Sequence, residues 1–406
     1  MQQSIGRMKH LTIKKIGPIE GISIELKRIN VLIGLQSSGK STISKIACHC
    51  AWVEKEIVAA QSPDYFTKKS SFKSILITFH KLEGYFNEDS SIEYETDVMK
   101  FSYIQKDESF HFEWKNRLAY IRPKLIYIPA ERNIVASIPN WFEVKLEENN
   151  IHGFMSDWEE ARKYYAGKPL NILNLKAKYL FDKSDNKDSV IVNEKNAIDF
   201  TNASSGLQSL IPLLVIMKFV TKGMYEEKEK MSIKDKTIYR KLSATINDLL
   251  KSGKDNKNFD IEKINAQLVE KMSKPNFSTI FLEEPEENLY PASQHDLMNN
   301  LMDSIHNTHK KHSIFITTHS PYILTSLNNS LYAAEVGKQK KEKAAKIIPQ
   351  KYWVDFDEIG AWFVKNGKIV SIIDEKEKQI RAEKIDELSR QLNREFDKLT
   401  NLKYEV

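Results

Sequence analysis

Cysteine is nearly absent from this 406-residue chain: there are two, Cys48 and Cys50. They lie two apart on an expected helix, where positions i and i+2 do not face each other. No disulfide or cysteine-built zinc framework follows, and a reducing, cytoplasmic setting is expected. Long apolar runs are lacking too. The longest, residues 210–217, contains Pro212 and falls far short of the roughly 20 residues a membrane-spanning helix needs. The first residues hold no apolar core of a secretory signal, so no membrane partner is expected. Sustained heptads are missing, which removes a long coiled-coil arm. Charge of one sign is not in large excess either. A formal net charge of +6 permits contact with nucleic acid without arguing for it, because clustering on one face decides that. What remains is ordinary for a globular protein, with 29% charged and 41% hydrophobic residues. The length suffices for one large core or two modest ones.

What is present is a phosphate-binding pattern. Residues 34–41 read GLQSSGKS after the apolar run Ile29-Asn30-Val31-Leu32-Ile33. They fit G-x-x-x-x-G-K-[ST], whose glycines let backbone N–H groups turn inward around the α- and β-phosphates. Gly34, Ser37, Ser38 and Gly39 belong to the loop; Lys40 reaches the β- and γ-phosphates; Ser41 offers its hydroxyl to Mg²⁺. The helix expected from about Thr42 adds the partial positive charge of its N-terminus. The expected ligand is a nucleoside triphosphate with magnesium; the resemblance given below makes it ATP.

Three further segments complete the pattern. Thr279-Ile280-Phe281-Leu282-Glu283-Glu284-Pro285 is a short apolar strand running into two acids. Glu283 is assigned to the metal and Glu284 to the attacking water as general base. Ser313-Ile314-Phe315-Ile316-Thr317-Thr318-His319 ends a β-rich run in an imidazole able to reach the γ-phosphate or the water. Ala203-Ser204-Ser205-Gly206-Leu207-Gln208 opens an apolar helical pattern. There Ser204, Ser205 and the Gly206 N–H can meet a phosphate, and a serine there can equally cap the helix.

Taken in order, GLQSSGKS, ASSGLQ, FLEEPEENLYP and ITTHSP resemble the ABC-type ATPase superfamily. Within it the chain is similar to the prokaryotic AAA-15/AAA-21 group, related to the OLD, SMC and RecF-like ATPases. The resemblance spans about residues 8–330. It equates ASSGLQ with the signature motif, Glu283 and Glu284 with Walker B, residues 286–291 with the D-loop, and His319 with the switch histidine. Tyr127-Ile128-Pro129-Ala130-Glu131-Arg132 resembles the YIPAER element of these ATPases. The loop departs from the group in Leu35-Gln36-Ser37, the signature in Ala203 and Leu207, and Walker B in having Glu283 for aspartate; no Q-loop glutamine is assigned. The resemblance implies an ATP-hydrolysing homodimer, or a larger even assembly, with nucleotide shared across two signatures. It further implies control of a separately encoded effector, a nuclease or toxin, in anti-phage defence of the Septu, retron-associated or PARIS type. The alternative is a RecF- or SMC-like DNA-maintenance clamp on duplex DNA.

The expected fold is α/β: an ABC-type P-loop head over residues 1–330 with a mixed central sheet. An antiparallel β-lobe is expected at about 70–120, including Ile75-Leu76-Ile77-Thr78-Phe79 as strand. A helical and signature lobe follows at about 135–277, with amphipathic helix over 140–165 (Trp141, Phe142, Val144, Trp158, Tyr164) and strands over 177–200. Residues 208–277 hold a lysine-rich insertion, either a solvated helical hairpin or a partner dock. The tail, 331–406, is expected to complete the head with strands (331–334, 368–373) and a charged helix at about 379–398. Residues 338–346, with five lysines, read as a hairpin tip or a basic patch. Asp355-Phe356-Asp357 lacks the acidic element a TOPRIM nuclease needs before it.

Overall fold

A computed structural model describes residues 9–67, 71–138, 147–192, 196–226, 233–252, 261–306, 309–381 and 387–404. The chain opens with a hairpin of β1 (Lys9–Ile16) and β2 (Ile19–Glu25), followed by β3 (Ile29–Gly34) and α1 (Lys40–Ala60). Next come α2 (Asp64–Thr67), α3 (Ser71–His80), β4 (Phe86–Thr96), β5 (Met99–Ile104) and β6 (Ser109–Trp114). The hairpin joins the last three strands in an antiparallel sheet of order β2-β1-β4-β5-β6. The segment 75–79, expected as strand, is instead part of α3. Its buried residues Phe72, Leu76 and His80 recur every four positions, the period of a helix face.

After β7 (Pro123–Ile128) and α4 (Ile134–Ser137), α5 (Asn150–Tyr164) starts where the Asn149 side chain accepts the Ile151 and His152 N–H groups. Trp141, Phe142 and Val144 lie outside the described residues. A second antiparallel sheet holds β8 (Leu170–Asn171), β9 (Ala177–Asp182), β10 (Lys187–Val192) and β11 (Asn196–Asp199). It leads into α6 (Ser205–Thr221). The insertion contains α7 (Ile233–Ser252) and α8 (Ile261–Ser273), which pack on each other and on α1. Leu242, Ile246, Val269 and Met272 thereby join the core beneath α1.

The remaining elements are β12 (Phe277–Glu283), α9 (Pro291–His306), β13 (Ser313–Thr318), α10 (Pro321–Ile347), β14 (Ile359–Lys365), β15 (Lys368–Ser371), β16 (Ile373–Asp374), β17 (Gln379–Ile380) and α11 (Glu387–Tyr404). Residues 331–334, expected as strand, lie within α10, because Ile323, Leu324, Leu327 and Leu331 bury one helical stripe. The lysine-rich 338–346 is the end of the same helix, with a kink at Lys340, and not a hairpin tip. The closing helix begins at Glu387; β17 occupies the position expected for its start.

The central sheet has the order β15-β14-β3-β13-β12-β7 and is parallel except for β15 against β14. A parallel sheet covered on both faces demands continuous apolar strands, and all six residues of β3 are buried. Alternate residues divide between two cores. Val31, Ile33, Ile280, Leu282, Ile314 and Ile316 face α5, α6 and α9. Leu32, Tyr127, Phe281 and Phe315 face α1, α3 and the five-stranded sheet. The helical span Ser205–Tyr225, α6 with the turn that follows it, alone among the described residues has the length and apolarity to cross a bilayer, yet it lies mostly within the first core. Cys48 and Cys50 are free, and burial in α1 pushes both thiols well up, away from reactivity. The layering sends the carboxyl ends of β3, β12 and β13 to one side, where ligands bind in such sheets.

Candidate functional site

Gly34 ends β3 under the neighbouring strand: a Cβ there would lie 2.3 Å from the Val364 carbonyl oxygen. The loop then curls through positive φ at Ser37 (56°) and at Gly39 (102°), which precedes α1. Lys40 is only 5% exposed. Its Nζ donates to the carbonyls of Gly34 (3.0 Å) and Leu35 (2.8 Å) and lies 3.4 Å from His319 Nδ1. Burial lowers the Lys40 pKa to about 8, with Glu284 and Glu286 opposing that shift. The Ser38 hydroxyl is buried without a hydrogen-bond partner. Thr42 is buried and Ser41 half-buried at the start of α1.

The two acids leave β12 in different directions. Glu283 is buried, and its Oε1 accepts the Tyr127 hydroxyl at 2.7 Å. Glu284 turns out through a positive φ of 41° while its N–H donates to the Thr317 carbonyl at 2.8 Å. Its Oε1 stands 3.3 Å from His319 Nε2. His319 thus bridges Lys40 on one side of its ring and Glu284 on the other. Glu286, which the motif reading gave no chemical role, accepts the His319 backbone N–H at 2.6 Å and fixes where that ring emerges. The Thr317 hydroxyl beside these groups is buried and unpartnered.

Arg132 is the largest participant that residue patterns missed. It is fully buried, and its guanidinium donates to the carbonyls of Ser209 (3.0 Å), Glu283 (3.0 Å) and Glu284 (2.8 Å). One side chain therefore ties the exit of β12 to the first turn of α6. Its membership of the YIPAER-like segment was the available signal. Gly206 makes the same junction from the other side, since a Cβ there would meet the Asn288 carbonyl oxygen at 2.8 Å. Ser204 takes the N-cap position of α6 without a side-chain cap bond, and both Ser204 and Ser205 are exposed. Among the described residues no hydrogen bond joins Ser204, Ser205 or Gly206 to Lys40, Glu284 or His319.

The residues fit a nucleoside triphosphate. A buried lysine held by two loop carbonyls and the His319 ring, two orphaned buried hydroxyls and a helix N-terminus meet in one place. Ser41 and Glu283 are the residues that would hold magnesium. No cluster of three or more His, Cys, Asp or Glu suited to a metal occurs among the described residues. A magnesium ion shared with phosphates needs only one or two carboxylates.

The family model described as "AAA domain, putative AbiEii toxin, Type IV TA system" (AAA_21) matches residues 29–325. The chain belongs to the AAA_21 family. Its fold is α/β, with the mixed central sheet described above. No curated protein matches it. Solved structures similar to this AAA_21 member include the SMC head domain from Thermotoga maritima, at 10% identity, 91% of this chain, 99% of that one and a TM-score of 0.38. An ATP-binding cassette of an ABC transporter in its ADP conformation has 10% identity, 91% and 93% coverage and a TM-score of 0.31. The recombination mediator RecF has 9% identity, 90% and 98% coverage and a TM-score of 0.30.

Proposed function

We propose that this AAA_21 chain binds and hydrolyses ATP between two copies of itself and uses that cycle to control a separately encoded effector. The observation that carries the reading is the Lys40–His319–Glu284 array, complete within one chain, beside a signature-helix N-terminus that is left open to solvent. Loop N–H groups from Gly34 to Thr42, with Ser37 and Ser38 among them, cradle the phosphates, and Lys40 exchanges its two carbonyls for phosphate oxygens. Ser41 and Glu283 would hold magnesium, which would supply charge neutralisation for the phosphates. Glu284 takes a proton from water as its oxygen bonds to the γ-phosphorus and the bridging β–γ oxygen leaves with ADP. His319 holds Glu284 and the γ-phosphate in one alignment. Ser204, Ser205 and the Gly206 N–H of the second copy close the phosphate cage, so triphosphate joins the copies and hydrolysis loosens them.

The Lys40 ammonium gives this reading a proton signature. Its pKa in the free protein is lowered to about 8, and a triphosphate raises it. Above pH 8 the free protein has lost the proton that the bound form holds, so binding takes protons up and affinity falls as pH rises. Uptake per nucleotide should therefore grow as pH rises through about 8 and approach one proton well above it. Calorimetry in buffers of different ionisation heat measures it. Lys40→Ala should abolish both uptake and binding.

The deciding experiment is Ser204→Arg. A bulky cation at the exposed N-cap should leave single-chain nucleotide binding intact, abolish ATP-dependent dimers in light scattering and lower turnover at least tenfold. Normal dimerisation and turnover would refute the shared site. The defence role draws support from the family description, which includes a toxin of a type IV toxin–antitoxin system. Co-purification with the product of a neighbouring gene tests it. ATP-dependent, salt-sensitive duplex binding without such a complex would favour a DNA clamp instead.

A further inference from the structure

Glutamate where a P-loop ATPase of this kind usually carries aspartate raises a geometric question. The longer side chain has one more rotatable bond, so its carboxylate can swing away from a bound metal unless something holds it. Tyr127 is placed to do that. It lies on β7 in register with Phe281 of β12, and Glu283 is two residues beyond Phe281. Tyr127, Phe281 and Glu283 therefore share one face of the sheet.

The contact is direct, buried and rigid. The Tyr127 hydroxyl donates to Glu283 Oε1 at 2.7 Å. Its ring is packed by Phe281, with centroids 6.5 Å apart, and edge-on by His80 at 5.4 Å. Among the described residues no other donor reaches the Glu283 carboxylate, which leaves Oε2 without a protein partner; Arg132 meets only the backbone carbonyl of Glu283. A carboxylate with one oxygen anchored and one free is what an oriented metal ligand requires.

We infer that Tyr127 is a positioning residue, whose hydroxyl anchors the Glu283 carboxylate so that its second oxygen is presented to the magnesium of bound nucleotide. The inference rests on the proposed ATP reading. It differs from a packing role in that Tyr127→Phe removes one oxygen atom and leaves the ring in place.

The test measures binding of a fluorescent, non-hydrolysable ATP analogue to the full chain, titrated with Mg²⁺. Tyr127→Phe should raise the Mg²⁺ needed for half-saturation roughly tenfold, within the range usual for partners that orient metal ligands. Binding without Mg²⁺ should not move, while the urea midpoint should fall modestly because Glu283 Oε1 loses its buried donor. In a Glu283→Gln background the same change should have no further effect, because the anchored carboxylate is already gone. An unchanged Mg²⁺ requirement in Tyr127→Phe overturns the inference alone. So does an equal loss of Mg²⁺-free binding, which would mark a merely structural role. A native chain whose nucleotide binding ignores Mg²⁺ overturns the inference and the magnesium part of the ATP reading together.

Discussion

Glu284→Gln is expected to bind ATP normally, to hydrolyse it about 100-fold or more slowly, and to accumulate as ATP-bound dimers. Glutamine keeps the shape and can still hydrogen-bond His319 Nε2, which Glu284 meets at 3.3 Å. It cannot take a proton from water, and a positioned general base contributes roughly 10²–10⁴ in rate. The effect on the assembly follows from the cycle proposed above: with the γ-phosphate uncut, the second chain's Ser204 is not released. Phosphate release read beside light scattering separates the two consequences. A variant that turns over normally would move the base elsewhere, and Glu286, bound to the His319 N–H, would be the next residue to change.

Arg132→Ala is expected to be the most destabilising single change in the site. The guanidinium is fully buried and satisfies carbonyls of Ser209, Glu283 and Glu284. Its truncation strands those acceptors in a low-dielectric junction, along with Glu287, whose carboxylate lies 3.5 Å from Nη1. Breaking such a buried, charge-assisted cluster by removing one partner costs about 3–5 kcal/mol. The urea midpoint should fall accordingly at unchanged slope. Arg132→Lys should recover only a minor part, because one ammonium cannot span acceptors on two elements. A loss below about 1 kcal/mol would show that water replaces the guanidinium there.

Local order was legible where the sequence carries its own periodicity or a fixed loop pattern. The apolar runs of β3, β12 and β13 and the glycine-bounded phosphate loop are of that kind, and they place Gly34, Lys40, Glu283 and His319 on one rim. The segment 75–79 misled because five apolar and β-branched residues fit a strand as readily as part of a helix face. Only the wider spacing of Phe72, Leu76 and His80 decides. Residues 331–334 misled for the same reason inside α10. Long-range partners were not legible at all. Arg132 finds acceptors 77 to 152 positions away, and Tyr127 meets Glu283 across 156. Glu286 read as one more charge in an acidic turn until its contact with the His319 N–H was seen.

The close approach of Val364 to Gly34 has a bearing on how this protein can be dissected. Strand β14, which supplies that carbonyl, runs parallel to β3 although more than 300 positions separate them. One wall of the nucleotide loop is consequently built from a part of the chain made late in synthesis. Fragments ending near residue 325, where the family match stops, would leave β3 with a bare edge and the loop with no lid on that flank. Their failure to bind nucleotide would report a missing buttress rather than a missing chemistry.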